Sequence, residues 1–321
     1  MTGSVLALSG GVGGAKLALG LARLLDAGSL TVIANTGDDF RHLGLDICPD
    51  IDTLVYTLAD LADPLQGWGR RDETWNFMAA LERIGGETWF RLGDADLAMH
   101  VERTRRLAAG ETLTAITDDL RQRLGITARI APMSDEPVRT RLLTDAGWLD
   151  FQTYFVRRRC GPVVYSLDYA GAASAQPSPV LLAALTDANL RAVVICPSNP
   201  FLSIAPLLAM PEVRRALASC AAPVVAVSPI IGGQAVKGPT AKLMEELGLE
   251  VSSAGIAKHY GELIDALVVD IQDAQTAAPA GVEVIAAPTL MLSLDDRERL
   301  AHVVLAAADR VAAARRLTPS S

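Results

Sequence analysis

Cysteine and histidine are both scarce in this sequence, which has four of each among 321 residues. The cysteines (Cys48, Cys160, Cys196 and Cys220) are far apart, with no C-x-x-C pair and no adjacent histidine. This spacing argues against a disulfide framework and a zinc site, and predicts that the cysteines are buried as small hydrophobic residues. The four histidines form no evident Ser-His-Asp or Cys-His arrangement, so catalysis by a side-chain nucleophile is not expected.

The sequence also has fewer basic than acidic residues, and it lacks long apolar runs. The formal net charge is −8 and the sequence pI is about 5.1, which argues against a general nucleic-acid surface. No apolar stretch approaches the roughly 20 residues of a membrane-spanning helix, and the N-terminus lacks the charged and apolar regions of a signal peptide. We therefore expect a cytoplasmic protein without nucleic-acid or membrane partners. The basic run at 157–159 is either a solvated loop or a phosphate clamp.

Glycine, by contrast, is concentrated near the N-terminus. Gly10, Gly11, Gly13 and Gly14 fill four of five positions between an apolar run and an amphipathic stretch that begins near Lys16. Glycine allows positive φ and leaves room for a ligand to touch the main chain. The helix predicted next directs its free N–H groups and positive dipole end at the same point. The segment predicts a phosphate-binding loop; a tight turn without a ligand is the alternative.

This glycine loop matches neither of two well-known nucleotide-binding motifs. A Walker A loop has Ser or Thr after its lysine, whereas Leu17 follows Lys16 here. A dinucleotide-binding fingerprint needs Gly or Ala at position 16 and an acidic residue at the end of the second strand, where this chain has Asn35. The sequence therefore disfavours classical ATPase or NAD chemistry, and a Rossmann oxidoreductase ranks third among the possible functions.

The order of apolar runs and helical patterns predicts a single α/β domain, 1–321, with a doubly wound, mostly parallel, Rossmann-like sheet. Buried strands are predicted at 4–8, 30–35, 192–196, 223–227 and 267–270. Helices are predicted at 14–26, 52–61, 180–186 and 295–317. Residues 65–170 are predicted to form an inserted, mainly helical cap or substrate region, which includes a half-buried strand at 149–155.

Four loops follow predicted strands, at 9–16, 35–39, 197–204 and 228–238. Functional loops of doubly wound folds lie at the carboxyl ends of the strands, so we expect these four to meet in one cleft. The last two loops contain hydroxyl, amide and lysine side chains typical of nucleotide-binding loops.

Acidic residues cluster in loop-like segments. Asp38 and Asp39 follow the second strand, and Asp50 and Asp52 stand at the start of a predicted helix. Either both carboxylates of the second pair cap the helix, or one caps it while the other coordinates Mg²⁺, which prefers oxygen ligands and often bridges to substrate phosphates. A third polar cluster lies at 91–96. Its side chains either belong to a functional site or are ordinary charged surface residues around a turn.

Seven segments in register resemble the 2-phospho-L-lactate transferase family, which makes the deazaflavin coenzyme F420. The resemblance runs in order from about residue 5 to 273. The segments are 9–16, 35–39, 49–53, 91–94, 132–135, 197–200 and 228–239.

The resemblance implies a Mg²⁺-dependent transfer in a homodimer. A ribityl hydroxyl of the deazaflavin Fo attacks a phosphorus atom in a guanosine diphospho-conjugate, GMP leaves, and F420-0 or its dehydro form results. Phospholactate, phosphoenolpyruvate and phosphoglycerate all remain open as the transferred acid. A related glycine-loop group implies a different function, that of a non-catalytic regulatory protein that binds nucleotide sugars.

The same resemblance assigns roles to individual residues. It implies that Asp52 and Arg91, with Asp94 and Met133, bind Fo. Asp39 and Asp50 become the metal ligands, and with Asp52 the catalytic carboxylates. The guanosine nucleotide is expected along Gly10, Gly11, Gly13, Gly14, Lys16, Ser198, Asn199, Ser228, Gly232 and Lys237.

Overall fold

The computed structural model describes residues 3–64, 66–236 and 238–317. Its centre is a seven-stranded sheet of order β14-β13-β10-β9-β1-β2-β5 in which every neighbouring pair is parallel. The strands of the molecule, in chain order, are β1 Ser4–Ser9, β2 Leu30–Ala34, β3 Phe40–His42, β4 Leu45–Ile47, β5 Arg129–Pro132, β6 Arg139–Thr144, β7 Gly147–Asp150, β8 Val164–Ala170, β9 Leu190–Ile195, β10 Val224–Val227, β11 Ile230–Ile231, β12 Gln234–Ala235, β13 Ala266–Val269 and β14 Glu283–Ala286.

Helices cover both faces of this sheet. In chain order they are α1 Gly11–Leu24, α2 Pro49–Leu58, α3 Asn76–Arg83, α4 Asp94–Ala108, α5 Leu113–Arg123, α6 Pro179–Leu185, α7 Ala205–Leu208, α8 Pro211–Ala218, α9 Thr240–Glu246, α10 Ser253–Tyr260 and α11 Leu294–Leu317. Within the described ranges, none of these helices combines the length and apolar character needed to cross a bilayer.

The unbroken apolar runs of the sequence form strands that are buried on both faces. Along β1, Val5 and Ala7 pack into the core under α1, α2 and α11, whereas Leu6 and Leu8 pack into the opposite core under α6 to α8. Alternate residues of a strand point to opposite faces, so a strand covered by helices on both sides needs an apolar residue at every position. The predicted doubly wound α/β fold is confirmed.

The strand order reverses between β1 and β9. From β1 the chain builds outward through β2 to β5, then returns to the other side of β1 and builds outward from β9 to β14. A crevice opens at such a switch point, beyond the carboxyl ends of the strands.

The structure differs from the sequence predictions in the middle of the chain. The range 65–170, predicted as one insertion, contains β5, a strand of the central sheet, so the added elements fall into two parts: helices α3 to α5, and the antiparallel sheet β7-β6-β8. The strand predicted at 149–155 is confirmed only at 149–150, because β7 ends at Asp150. A π-helical turn lies at Thr153–Arg157, and the rings of Phe151 and Phe155, four residues apart, stack with centroids 5.3 Å apart.

Candidate active site

A cleft of about 700 Å³ lies at the switch point, beyond the carboxyl ends of β1, β9 and β10. All four predicted loops reach it: Gly10 and Asp38 from the first two, and Ser198 and Ser228 from the last two. Parallel strands place their carboxyl ends at one edge of the sheet, which is why loops far apart in sequence meet here. The cleft has two chemically distinct parts, described in turn.

The first part, the phosphate side, is built on the glycine loop (residues 9–16). α1 begins at Gly11 with no side-chain cap, so the N–H groups of its first turn face the cleft without intrahelical partners. The Gly11 N–H instead donates to Asp50 Oδ1 at 2.6 Å. A Cβ atom at Gly13 would lie 2.5 Å from the Pro197 carbonyl oxygen. Glycine is therefore required at position 13 by packing as well as by ligand access.

Other predicted nucleotide-binding residues surround this loop. Ser198 Oγ accepts from the Gly10 N–H at 3.1 Å and donates to the Gly10 carbonyl at 2.8 Å, which ties the two loops together. Asn199 lines the cleft and also caps the turn that follows it, accepting from the Phe201 N–H at 2.9 Å. Lys16 lines the cleft and donates to the Met291 carbonyl at 2.8 Å.

Two of the predicted nucleotide residues, Gly14 and Gly232, do not line the cleft. Gly14 is buried beneath the loop, where it packs against the hydroxyls of Ser9 and Ser198. Gly232 lies outside the cleft and donates its N–H to Asp273 Oδ2 at 2.9 Å. Lys237 lies outside the described residues.

One wall of the phosphate side was not predicted from the sequence. Thr289, Leu290 and Met291, between β14 and α11, line the cleft. Asp270, which follows β13, holds this segment by accepting from the Thr289 N–H at 3.0 Å. From the sequence, no strand is predicted at β14 and no polar motif near it. The position of the segment 289–291 at the cleft is therefore visible only in the folded structure.

Two carboxylates share one amide beside the glycine loop. The Asn35 side-chain nitrogen donates to Asp38 Oδ1 at 3.0 Å and to Asp50 Oδ2 at 2.9 Å. Burial, and then the charge of Asp50, raise the pKa of Asp38 well above its ordinary value. Burial raises the pKa of Asp50 to about 6, against the hydrogen bonds from Asn35 and Gly11. Two buried carboxylates this close create a local excess of negative charge that a cation would relieve.

The predicted metal ligand Asp39 is directed elsewhere. Its carboxyl is absent from the cleft lining and lies near Cys48 and Arg139. Burial raises the pKa of Asp39 to about 7, although the charge of Arg139 opposes this. Among the residues that the structure describes, no three His, Cys, Asp or Glu side chains are grouped to hold a metal. Asp50 is likewise absent from the cleft lining, but it shares the Asn35 amide with Asp38, which lines the cleft. The geometry therefore pairs Asp50 with Asp38 rather than with Asp39.

The second part, the aromatic side, consists of Tyr56, Trp68, Trp89, Phe90 and Arg91. All five line the cleft, and the rings of Trp89 and Phe90 pack edge to face with centroids 5.8 Å apart. The Arg91 guanidinium lies 4.0 Å from the ring centroid of Trp75, outside the cleft. The aromatic rings of this side and the guanidinium of Arg91 suit a planar aromatic ligand that carries polar groups at its edge.

Asp52 lines the cleft and lies on α2 between Asp50, which contacts the glycine loop, and Tyr56 of the aromatic side. Both of its oxygens contact the guanidinium of Arg103, one of them at 3.1 Å, and Arg103 is 1% exposed. The charge of Asp52 raises the pKa of Arg103 further above its ordinary value, despite burial. Arg103 was not among the predicted site residues. Its only indication in the sequence is that it lies in a polar stretch, 100–106, of a region predicted to be helical.

Two predicted Fo-binding residues do not reach the cleft. Asp94 caps α3, accepting from Thr74 Oγ1 at 2.6 Å and from the Phe77 N–H at 3.0 Å, and the hydrogen bond from Thr74 is foremost in lowering the pKa of Asp94 to about 2. Met133 is fully buried in the core beyond β5. In this structure Asp94 caps a helix, Met133 packs in the core, and neither lines the cleft.

Comparison with known proteins gives consistent results. The family model described as 2-phospho-L-lactate transferase CofD matches residues 5–306. The chain is 40% identical over 317 residues to a phosphoenolpyruvate transferase of Kitasatospora aureofaciens, covering 96% of this chain and 98% of that protein. It is 41% identical over 319 residues to one of Thermobifida fusca (95% and 97% covered) and 37% over 328 residues to one of Mycobacterium tuberculosis (95% and 98%).

A solved structure has the same fold. A UPF0052 family member of Bacillus halodurans superposes with a TM-score of 0.61 at 13% identity, covering 95% of this chain and 99% of that one. At this identity the likeness supports the fold alone.

Proposed function

Because the chain belongs to the 2-phospho-L-lactate transferase CofD family, we propose that this enzyme transfers a phosphoenolpyruvyl group to the ribityl hydroxyl of Fo in the biosynthesis of coenzyme F420. The donor is the guanosine diphospho-conjugate of that acid. The products are GMP and dehydro-F420-0. Phosphoenolpyruvate is preferred to phospholactate or phosphoglycerate because the relatives cited above carry that name.

The observation that carries this proposal is that one cleft holds both an anion site and an aromatic site. The first turn of α1 and Lys16 provide N–H donors and positive charge for a diphosphate. On the opposite side, Trp68, Trp89 and Arg91 provide flat surfaces and a cation for a deazaflavin ring. A group transfer between a nucleotide conjugate and a planar acceptor needs both in one cavity.

Asp38 and Asp50 would hold the Mg²⁺ of this reaction. Mg²⁺ commonly takes one or two carboxylates plus substrate phosphates and waters, so this pair beside the anion site fits it. Burial raises the pKa of both groups, and a bound cation would favour their ionised forms. When bound, Mg²⁺ supplies positive charge that offsets the diphosphate and the departing GMP.

The residues of the chain bring the reactants together. The N–H groups of α1 orient the diphosphate, and the aromatic side orients Fo so that its ribityl chain extends toward Asp52. The hydroxyl oxygen attacks the phosphorus that carries the enolpyruvate, and the bond to the bridging oxygen breaks. GMP leaves with the bonding electron pair. Such a reaction depends mainly on in-line positioning and charge stabilisation rather than on a covalent enzyme intermediate.

A transfer assay tests this function. Purified protein is incubated with Fo, Mg²⁺ and the guanosine diphospho-conjugate of either enolpyruvate or lactate, and the products are identified by mass spectrometry. We expect dehydro-F420-0 and GMP in equal amounts, faster than F420-0 from the lactate donor. If neither donor gives a product and Fo fluorescence is unchanged on mixing, the transferase proposal fails and the regulatory alternative gains support.

A further inference from the structure

Trp75 lies behind the aromatic side of the cleft and contacts two of its residues. The guanidinium carbon of Arg91 is 4.0 Å from the centroid of the Trp75 ring. The ring of Trp68 packs against the same indole edge to face, with centroids 6.4 Å apart. Arg91 and Trp68 line the cleft, whereas Trp75 does not. A residue outside the cleft therefore supports both the cation and one aromatic surface of the proposed acceptor site.

The contact with Trp75 leaves the donors of Arg91 available to a ligand. A guanidinium group is planar, with five N–H donors at its edge, and it packs on aromatic rings through its face. Within 3–64, 66–236 and 238–317, the Arg91 side chain forms no hydrogen bond or ion pair. The indole ring, rather than a polar partner, therefore holds the guanidinium in place.

The segments that lead into α3 and α4 are fixed to each other by exchanged helix caps. Asp94, the first residue of α4, accepts from the Phe77 N–H at 3.0 Å in the first turn of α3. Glu73, which precedes α3, accepts from the Asp96 N–H at 2.8 Å in the first turn of α4. These bonds satisfy N–H groups that have no intrahelical partner. The loops before the two helices therefore have a fixed relative position.

The same arrangement accounts for the segment 91–94. Leu92 is fully buried, and a Cβ atom at Gly93 would overlap the carboxyl of Glu73. Asp94 caps α3, as described above. These three residues hold the segment in place, and Arg91 is the one that lines the cleft.

We infer that Trp75 is a positioning residue of the acceptor site, which acts on Fo through Arg91 and Trp68 without touching it. This inference rests on the proposed function, in which Fo is the acceptor. The exchanged caps fix Trp75 relative to the loop that carries Arg91, and the indole then fixes the guanidinium. A long side chain loses rotamer freedom when it binds a ligand, so an arginine that is already held binds at a lower entropic cost. Trp75 therefore raises the affinity for Fo.

Trp75→Leu is the first test, because leucine is apolar but has no ring face for the guanidinium. We expect the Fo dissociation constant, measured by fluorescence, and the KM for Fo to rise about tenfold, through the lost cation–π contact and the lost preorganisation. The value of kcat at saturating Fo and the affinity for GDP should stay within about twofold of wild type. Trp75→Phe keeps a ring face and should weaken Fo binding only about threefold.

Trp148→Leu is the matched control. Trp148 also contacts an arginine, with the Arg141 guanidinium carbon 5.1 Å from its ring centroid, but neither residue lines the cleft. The same substitution there removes a ring from beneath a cation, and it should leave Fo and GDP binding as in wild type.

A double-mutant cycle shows whether Trp75 acts through Arg91. Arg91→Ala removes the group that Trp75 positions. In that background Trp75→Leu should weaken Fo binding by about threefold or less, the remainder of its effect passing through Trp68. A purely structural role of Trp75 would give the same loss of Fo affinity with and without Arg91.

The outcomes separate this inference from the proposed function. Wild-type Fo affinity in folded Trp75→Leu, an equal loss in both backgrounds, or a comparable loss of GDP affinity would overturn the inference and leave the proposed function intact. If Trp75→Leu does not fold, as judged by circular dichroism, the cycle is measured with Trp75→Phe, whose effect on Fo binding should disappear in the Arg91→Ala background. Failure of the wild-type protein to bind Fo would overturn both.

Discussion

The phosphate side and the aromatic side of the cleft are built in different ways. The phosphate side uses the main chain of the first turn of α1, which follows β1. Contacts of Gly11 with Asp50, at the start of α2, and of Gly10 with Ser198, beyond β9, fix this turn. The aromatic side uses large side chains from segments outside that sheet, among them Trp68, Trp89 and Arg91. We therefore propose that the fold itself provides the anion site, whereas the elements added to the central sheet provide the acceptor site.

The largest expected effect comes from the carboxylate pair of the phosphate side. Asp38→Asn keeps an oxygen for the Asn35 amide but removes the charge that we propose for Mg²⁺ binding. We expect kcat to fall by about 100- to 1000-fold, since a bound metal ion contributes several kcal/mol to charge stabilisation. Fo binding should remain. Transfer rates over a Mg²⁺ titration check this, with Asp145→Asn, outside the cleft, as the control; a full rate in metal chelator would contradict it.

The glycine loop offers the next largest effect. In Gly13→Ala the new Cβ would meet the Pro197 carbonyl oxygen, so the main chain must shift, at a cost of about 1–3 kcal/mol. We expect GDP affinity to fall at least about tenfold while Fo binding is kept. The matched control is Gly28→Ala, remote from the cleft with φ +82°, which loses about 1 kcal/mol through backbone strain alone. Calorimetric titration with GDP measures the affinity of both variants and so separates a loss of GDP binding from a general loss of stability. Equal GDP affinity in Gly13→Ala and Gly28→Ala would contradict this prediction.

The aromatic side should respond in the opposite manner. Trp89→Ala removes a ring that packs against Phe90 and lines the cleft, and we expect the Fo dissociation constant to rise about tenfold through lost stacking and apolar contact. GDP affinity should stay within error. Fluorescence titration with Fo measures this, and Trp148→Ala, on β7 outside the cleft and 47% exposed, is the control. A loss of GDP binding in Trp89→Ala would show that the two sides are not separate.

The smallest effect is on stability in the absence of metal. The pKa of Asp50 rises to about 6 and that of Asp39 to about 7 on folding, from an ordinary value of 3.8, chiefly through burial. The native state then holds protons that the unfolded chain has released, so stability should fall as pH rises from about 4 to 7. Melting curves in chelator test this. Asp50→Asn should show a shallower fall, and added Mg²⁺ should reduce it in the wild type; a rise in stability over this range would contradict the account.

Much of the fold was accessible from the sequence because its strands are buried on both faces. Runs such as Val193 to Ile195 and Val224 to Val227 have no polar position, a pattern that few other elements produce. The same reasoning brought loops 9–16 and 197–204 together correctly, since parallel strands end at a common edge. Local pattern failed at Phe151, where stacking with Phe155 favours a helical turn over a strand.

The parts of the site that the sequence did not reveal depend on packing between distant segments. Arg103, on α4, forms an ion pair with Asp52, on α2. The two residues are 51 positions apart, so no local sequence motif predicts this pair. The role of Asp94 was misassigned because a polar residue beside Arg91 could be either a ligand or a helix cap, and only the hydrogen bonds to Thr74 and Phe77 distinguish them. Neighbouring carboxylates posed the same difficulty, since Asp38 rather than Asp39 faces the cleft.

The most direct test of the two-sided cleft is a crystal structure of the protein with Fo, GDP and Mg²⁺ bound together. The account predicts the diphosphate at the first turn of α1, with Mg²⁺ on Asp38 and Asp50. It predicts the deazaflavin ring against Trp89 and Arg91, with the ribityl chain reaching Asp52. Fo bound outside this cleft, or both ligands on the same side of Asp52, would contradict it.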